Sequence, residues 1–116
     1  MDTILKQSLL YDFYGELLTN HQKEVYEQFV LEDLSLSEIA QSAGISRQGV
    51  HDMVRRCQKT LEGYETKLHL VERFLIIKEQ VRQIDVVLDE YEQRTVSPEN
   101  MAVRIREISD RIIEEL

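Results

Sequence analysis

Leu36-Ser37-Glu38-Ile39-Ala40-Gln41-Ser42-Ala43-Gly44-Ile45-Ser46-Arg47 is the stretch on which the fold of this chain turns. Ser37 can cap a short helix, and Glu38 beside it lies favourably near the positive end of the helix dipole. Gly44 stands where that helix must stop, a position glycine fills readily because it tolerates φ > 0. Ser46 can cap the next helix, which the spacing of Val50, Met53, Val54, Cys57 and Leu61 carries forward. Two helices joined by a glycine turn of this length make a helix-turn-helix unit. Ile39, Ala43, Ile45, Val50 and Met53 supply its small core, while Ala40 and Gly44 let the two backbones approach.

Upstream, Leu5, Leu9, Leu10, Phe13 and Leu17 form an apolar helical stripe over about Thr3–Leu18. Thr19-Asn20-His21-Gln22 has the form of a capping box, in which the threonine hydroxyl accepts from the first turn and the glutamine reaches back. The helix that follows presents Val25, Tyr26, Phe29 and Val30 to a core and ends near Asp33. Downstream, Gly63 either ends the second motif helix or sits inside it at a cost of about 1 kcal/mol. Both readings stand at this point.

From Thr66 to about Gln93 the pattern is helical again and carries two apolar stripes. One is Tyr64, Leu68, Val71 and Leu75. The other, Phe74, Ile77, Val81, Ile84, Leu88 and Tyr91, is a heptad seam. They meet at Phe74-Leu75-Ile76-Ile77, where the helix is expected to be buried on several sides. Two stripes need two partners, so the heptad seam is expected to build a homodimer while the other packs within the protomer. Val96-Ser97-Pro98-Glu99 opens a last helix, with Ser97 as cap and Pro98 at its first position. Met101, Ile105, Ile108, Ile112 and Leu116 give that helix its apolar face. The expected fold is all-α, about six helices. Residues 1–62 hold the helix-turn-helix and 63–116 a long helix plus a C-terminal helix for dimerisation or partner binding, in one compact domain overall.

The 116 residues carry 14 Lys+Arg against 22 Asp+Glu, a net charge of −8, and 42% of them are hydrophobic, which suits a globular chain. Cys57, the single cysteine, cannot form an internal disulfide and fits a reducing compartment. Met1-Asp2-Thr3-Ile4 has neither the basic region nor the apolar core of a signal peptide. The longest apolar run, Phe74 to Ile77, is too short to cross a bilayer. A cytoplasmic location without membrane insertion is expected.

No constellation for catalysis is visible. His21, His51 and His69 fall in three segments without metal-ligand spacing. There is no phosphate-cradling glycine loop and no nucleophile elbow. Cys57 lies on an inward stripe, as a small hydrophobe does. The expectation is a protein that is not an enzyme, without catalytic residues, metal, cofactor or small-molecule substrate.

Charge is uneven along the chain. Residues 61–116 hold eight basic and thirteen acidic side chains, whereas Ser46–Thr60 holds Arg47, Arg55, Arg56 and Lys59 against Asp52. A local basic patch is an electrostatic footprint for nucleic acid. With Val50, Met53, Val54 and Cys57 inward, Arg47, Gln48, His51, Asp52 and Arg55 face outward. In helix-turn-helix docking the N-terminal part of the second helix meets base edges in the major groove. Arg47 suits guanine and Gln48 suits adenine. Ser46 and the free amides near it can hold a phosphate, and Arg55, Arg56 and Lys59 pair with the backbone. The candidate nucleic-acid-binding residues, for DNA or RNA, are therefore Ser46, Arg47, Gln48, His51, Arg55, Arg56 and Lys59. A protein-protein adaptor using the acidic helical surface is the alternative.

Leu18-Thr19-Asn20-His21-Gln22-Lys23-Glu24-Val25, Leu36-Ser37-Glu38-Ile39-Ala40 and Gly44-Ile45-Ser46-Arg47 with Val50 resemble the fourth conserved region of bacterial sigma factors, over about residues 18–62. That resemblance implies a sigma-region-4-like unit, from whose arginine-rich recognition helix Gln48, Gly49 and Asp52 depart. Over most of its length the chain resembles the YlxM family of small bacterial helix-turn-helix proteins. Leu9-Leu10-Tyr11-Asp12-Phe13-Tyr14-Gly15-Glu16-Leu17-Leu18 and the stretch from Glu38-Ile39-Ala40 through Ser46-Arg47-Gln48-Gly49-Val50-His51-Asp52 carry the likeness. It implies a regulator or accessory of the signal recognition particle pathway, with that particle's components as partners.

Overall fold

The computed structural model describes residues 3–116, and these form helices and connecting turns without a strand. The helices are α1 (Thr3–Tyr14), a short 3-10 turn (Gly15–Leu17), α2 (Asn20–Val30), α3 (Leu36–Ala43), α4 (Arg47–Leu68), α5 (Leu70–Glu92) and α6 (Pro98–Glu115). The chain divides into two compact units, one ending at Val71 and the other spanning Glu72–Leu116.

In the first unit α4 is the central element, and α1, α2 and α3 each pack against it. Val50, Val54, Cys57 and Leu61 recur along one side of α4 and are all buried, together with Leu10, Tyr14, Leu18, Val25, Tyr26 and Ile39 from the other helices. Met53 is only half-buried. Each fully buried aliphatic side chain stabilises by roughly 1.5–3 kcal/mol. Thr19 caps α2 with the expected box: its hydroxyl accepts from Gln22 N–H at 3.2 Å, and its own N–H donates to Gln22 Oε1 at 3.0 Å.

The apolar periodicity of α1 misplaces its inward face. Leu5, Phe13 and Leu17 are exposed, and the side turned to the core is Gln7, Leu10 and Tyr14. Polar anchoring decides the rotation. Gln7 Oε1 accepts from Tyr26 Oη at 2.8 Å, and Gln7 Nε2 donates to Glu62 Oε1 at 3.3 Å. Tyr11 donates to Glu27, and Tyr14 Oη donates to Glu65 Oε1 at 2.5 Å. Turning Leu5 and Leu17 inward would break these bonds and leave buried polar groups unsatisfied, at roughly 1–3 kcal/mol each.

Gly63 lies inside α4, which continues to Leu68. The expected unbroken helix from Thr66 to Gln93 does not exist. His69 adopts φ 57°, ψ 28° and ends α4, and α5 restarts at the next residue. The restart is stable because its first amides find partners: Leu70 N–H donates to Tyr14 Oη at 3.1 Å and Val71 N–H to Glu65 Oε1 at 3.0 Å. Free N–H groups at a helix start need such acceptors.

In the second unit α6 packs on α5. Val87 and Ile108 are buried, Arg104 pairs with Glu90, and Arg111 Nη1 donates to Gln80 Oε1 at 3.4 Å. Ser97 caps α6 as expected, accepting from Asn100 N–H at 3.1 Å, with Pro98 in the first turn. The expected all-round burial near Phe74–Ile77 is not found: Phe74 is 38% and Ile76 36% exposed. Within this unit a single neighbouring helix covers one side of α5 only.

Two outcomes follow from this packing. A Cβ added at Gly63 meets nothing within 4 Å. Gly63→Ala should therefore stabilise the protein by about 0.5–1 kcal/mol and raise its melting temperature in a thermal scan. Burial first, and then the facing carboxylates Glu27 and Glu65, raise the Tyr11 and Tyr14 hydroxyls above the ordinary tyrosine value; burial does the same for Tyr26. Because the folded values are raised, their contribution is complete below pH ~10 and is lost as pH rises through those values. Phenolate absorbance of these three should appear only together with loss of helical circular dichroism on alkaline titration.

Candidate nucleic-acid interface

The connection between α3 and α4 is built by three residues. Gly44 takes φ 71°, ψ 28° and its N–H returns to Ala40 O at 3.0 Å, while Ile45 N–H reaches the same oxygen at 3.2 Å. Ser46 then turns into extended backbone and caps α4, its Oγ accepting from Gly49 N–H at 2.9 Å. A Cβ at Gly49 would sit 3.1 Å from that Oγ, so the bare glycine leaves room for a tight cap. The start of α3 differs from expectation. Its cap is Ser35, not Ser37: Ser35 Oγ accepts from Glu38 N–H and Ser35 N–H donates to Glu38 Oε1, both at 3.1 Å. Ser35 and Glu38 stand three apart, the spacing of a capping box, which Ser37 and Glu38 lack.

The buried strip of α4 aims its opposite side at solvent. Ser46, Arg47, Gln48, Arg55, Arg56 and Lys59 are exposed, as is Asp52, while His51 is half-buried. None of Arg47, Arg55, Arg56 and Lys59 is paired with a carboxylate among the described residues. Arg55, Arg56 and Lys59, with Gln58 and Glu62, line an open groove of about 480 Å³. Two contacts were not anticipated. Gln48 Nε2 donates to Asp52 Oδ1 at 3.0 Å, and His51 Nδ1 is occluded 3.7 Å from that same oxygen without a hydrogen bond. The spacing of Gln48 and Asp52, four apart on a helix, was the signal available for the first.

The thiol of Cys57 is buried, and burial pushes its pKa up, the setting of an inert structural cysteine. Among the described residues no three His, Cys, Asp or Glu side chains gather as a metal ion requires, and no helix is long and apolar enough to cross a membrane.

Residues 1–102 match the model of the UPF0122 family, described as "Putative helix-turn-helix protein, YlxM / p13 like". The chain belongs to that family. A UPF0122 protein of Thermoanaerobacter sp. strain X514 is 44% identical over 115 residues, covering 99% of this chain and 97% of its own length. One from Acetivibrio thermocellus is 37% identical over 116 residues, covering 98% of this chain and 99% of its own length. A third, from Staphylococcus epidermidis strain RP62A, is 51% identical over 70 residues, 60% of this chain and 64% of its own length. In this member of the UPF0122 family the helix-turn-helix is α3, the turn Gly44–Ser46 and α4.

The turn depends on one backbone conformation. No atom stands within 4 Å of a Cβ at Gly44, so a side chain there is opposed by its positive φ alone. Gly44→Ala should cost about 1 kcal/mol, read as a lower midpoint of urea unfolding with an unchanged slope.

Proposed function

We propose that this protein is a non-enzymatic regulator of the signal recognition particle pathway that binds nucleic acid through α4. The observation that carries the reading is the row of unpaired cations on the exposed side of α4, beyond a capped N-terminus formed by Ser46. On that reading Ser46 and the first free amides hold a phosphate, and Arg55, Arg56 and Lys59 track the backbone. Arg47, Gln48 and His51 face the base edges. The signal recognition particle enters from the resemblance to the YlxM family, and a cytoplasmic location goes with it. The acidic balance of residues 61–116 supports a second reading, an adaptor that contacts the particle's GTPase or its receptor.

The second unit serves dimerisation in this proposal. Along the heptad seam of α5, Val81, Leu88 and Tyr91 are exposed and Ile77 and Ile84 half-buried. Ile113 and Leu116 of α6 are exposed as well. A second copy is the occupant that fits. The seam is self-complementary under two-fold symmetry, and Lys78 and Asp85 on its rim, one heptad apart, oppose each other's counterparts when two copies run antiparallel. Two hairpins joined so form a four-helix bundle. A dimer reading DNA would place its two recognition helices about 34 Å apart, or a multiple of that.

Fluorescence anisotropy with duplex DNA from the protein's own operon and with the particle's RNA tests the first claim. Three or four phosphate contacts per protomer predict a slope of log K against log salt of about −3. Arg47→Ala with Arg55→Ala should weaken binding at least tenfold and flatten that slope by about one to two. Unchanged binding in the double variant removes this surface from consideration.

Sedimentation equilibrium tests the second claim. The native chain should run as a dimer. Val81→Glu should weaken association by roughly 2–4 kcal/mol while helical circular dichroism is kept. A native chain that stays at 13.7 kDa at micromolar concentration overturns the dimer.

A further inference from the structure

Asp52 is the one acidic side chain on the basic face of α4 between Arg47 and Lys59, and general attraction to phosphate gives it no reason to be there. Its exposed carboxylate accepts from Gln48 Nε2 at 3.0 Å. We propose that Asp52 is a positioning residue that sets Gln48 to read an adenine in the major groove of duplex DNA. The inference rests on α4 being a nucleic-acid reader, and it goes further by choosing DNA and a base.

The chemistry is specific. An ionised carboxylate only accepts hydrogen bonds, so the Gln48 amide must turn its nitrogen, not its oxygen, toward Asp52. That contact occupies one of two amide hydrogens. The amide then has one N–H and its carbonyl oxygen left. Adenine presents one acceptor, N7, and one donor, the N6 amino group, on its major-groove edge. One donor and one acceptor on Gln48 match that pair. Guanine shows two acceptors there and leaves the carbonyl oxygen of Gln48 without a partner. In the free protein such a helical pair is weak, a few tenths of a kcal/mol. Inside a groove from which water is excluded, its orientation decides which base is accepted.

The same carboxylate lowers affinity for every sequence, because it opposes the phosphates that Arg47, Arg55, Arg56 and Lys59 attract. Weaker general binding with sharper base choice is how negative charge raises a specificity ratio. The class of nucleic acid follows as well. The major groove of an RNA helix is too deep and narrow for side chains to read, so an amide pre-set for that edge fits B-form DNA.

The test begins with selection by the full-length protein from a pool of random DNA duplexes, followed by anisotropy on the enriched duplex. A matched duplex with its selected A·T pair changed to G·C is measured alongside. The native protein should enrich an A·T pair and prefer it by about tenfold or more. Asp52→Ala should bind both duplexes more tightly and lose most of the preference. Asp52→Asn removes the charge and can donate as well as accept, so Gln48 is no longer held one way; this variant should bind both more tightly and lose part of the preference. Gln48→Ala should lose the preference as Asp52→Ala does.

Selection that enriches no A·T pair overturns the proposal, as does an Asp52→Ala variant whose preference is intact. Those results are separable from failure of the underlying reading, which shows as duplex binding unaffected by Arg47→Ala with Arg55→Ala. A protein that binds the particle's RNA at the same surface and no duplex DNA overturns the choice of DNA while leaving α4 as the reader.

Discussion

Val50, Val54, Cys57 and Leu61 form one buried strip on α4, and burial of that strip is the constraint from which the first unit is assembled. α1, α2 and α3 all pack on α4, so the rotation of this helix about its axis settles what each neighbour buries. It also settles what faces solvent. A helix with one covered side exposes the other, and here that other side carries Arg47, Gln48, Asp52, Arg55, Arg56 and Lys59. Core and cationic surface are two consequences of one apolar spacing. A large side chain forced toward the strip would shift the cations as well as loosen the core.

Around this strip the fold is fastened by polar side-chain contacts. Three tyrosine hydroxyls from α1 and α2 end on Glu27, Glu65 and Gln7, and Gln7 goes on to Glu62. These bonds tie α1 to α2 and α1 to α4 at fixed rotations, which nondirectional hydrophobic burial cannot do alone. The Tyr14–Glu65 pair has a second task. It receives the first amides of α5, so the end of one helix and the start of the next are held by the same two side chains. The left-handed His69 between them is tolerated because those contacts offset its cost, about 1 kcal/mol for a non-glycine residue.

The second unit is built on a different economy. A pair of helices has only one mutual contact strip, and here it is carried by Val87 and Ile108 with the Arg104–Glu90 pair beside it. Along the remaining apolar stripe on α5, Val81, Leu88 and Tyr91 are exposed and Ile77 and Ile84 half-buried. Small two-helix units gain independent stability when a further layer covers them, and self-association is the commonest source of one. The exposed seam is thus the feature that connects the architecture of this unit to its proposed role.

Local signals in the chain itself specified the helix-turn-helix, because each of its parts acts over three or four residues: Gly44 to stop, Ser46 to cap, and apolar positions to set the faces. The Thr19 and Ser97 caps and the all-helical class were legible for the same reason, and so was the outward display of Arg47, Gln48 and Arg55. Three features needed the assembled structure. Leu5 and Phe13 lost the inward side of α1 to Gln7 and Tyr14, because a buried polar group far along the chain selected its partner. The helix expected to run through residue 69 broke there, because Tyr14, distant in sequence, supplied an acceptor for the restart. Phe74 and Ile76 stayed exposed, because a periodic pattern tells which residues are apolar and only packing tells how many neighbours arrive to cover them. Short-range hydrogen bonding and periodicity are written in consecutive residues, whereas the partner of a buried polar atom is chosen across the fold.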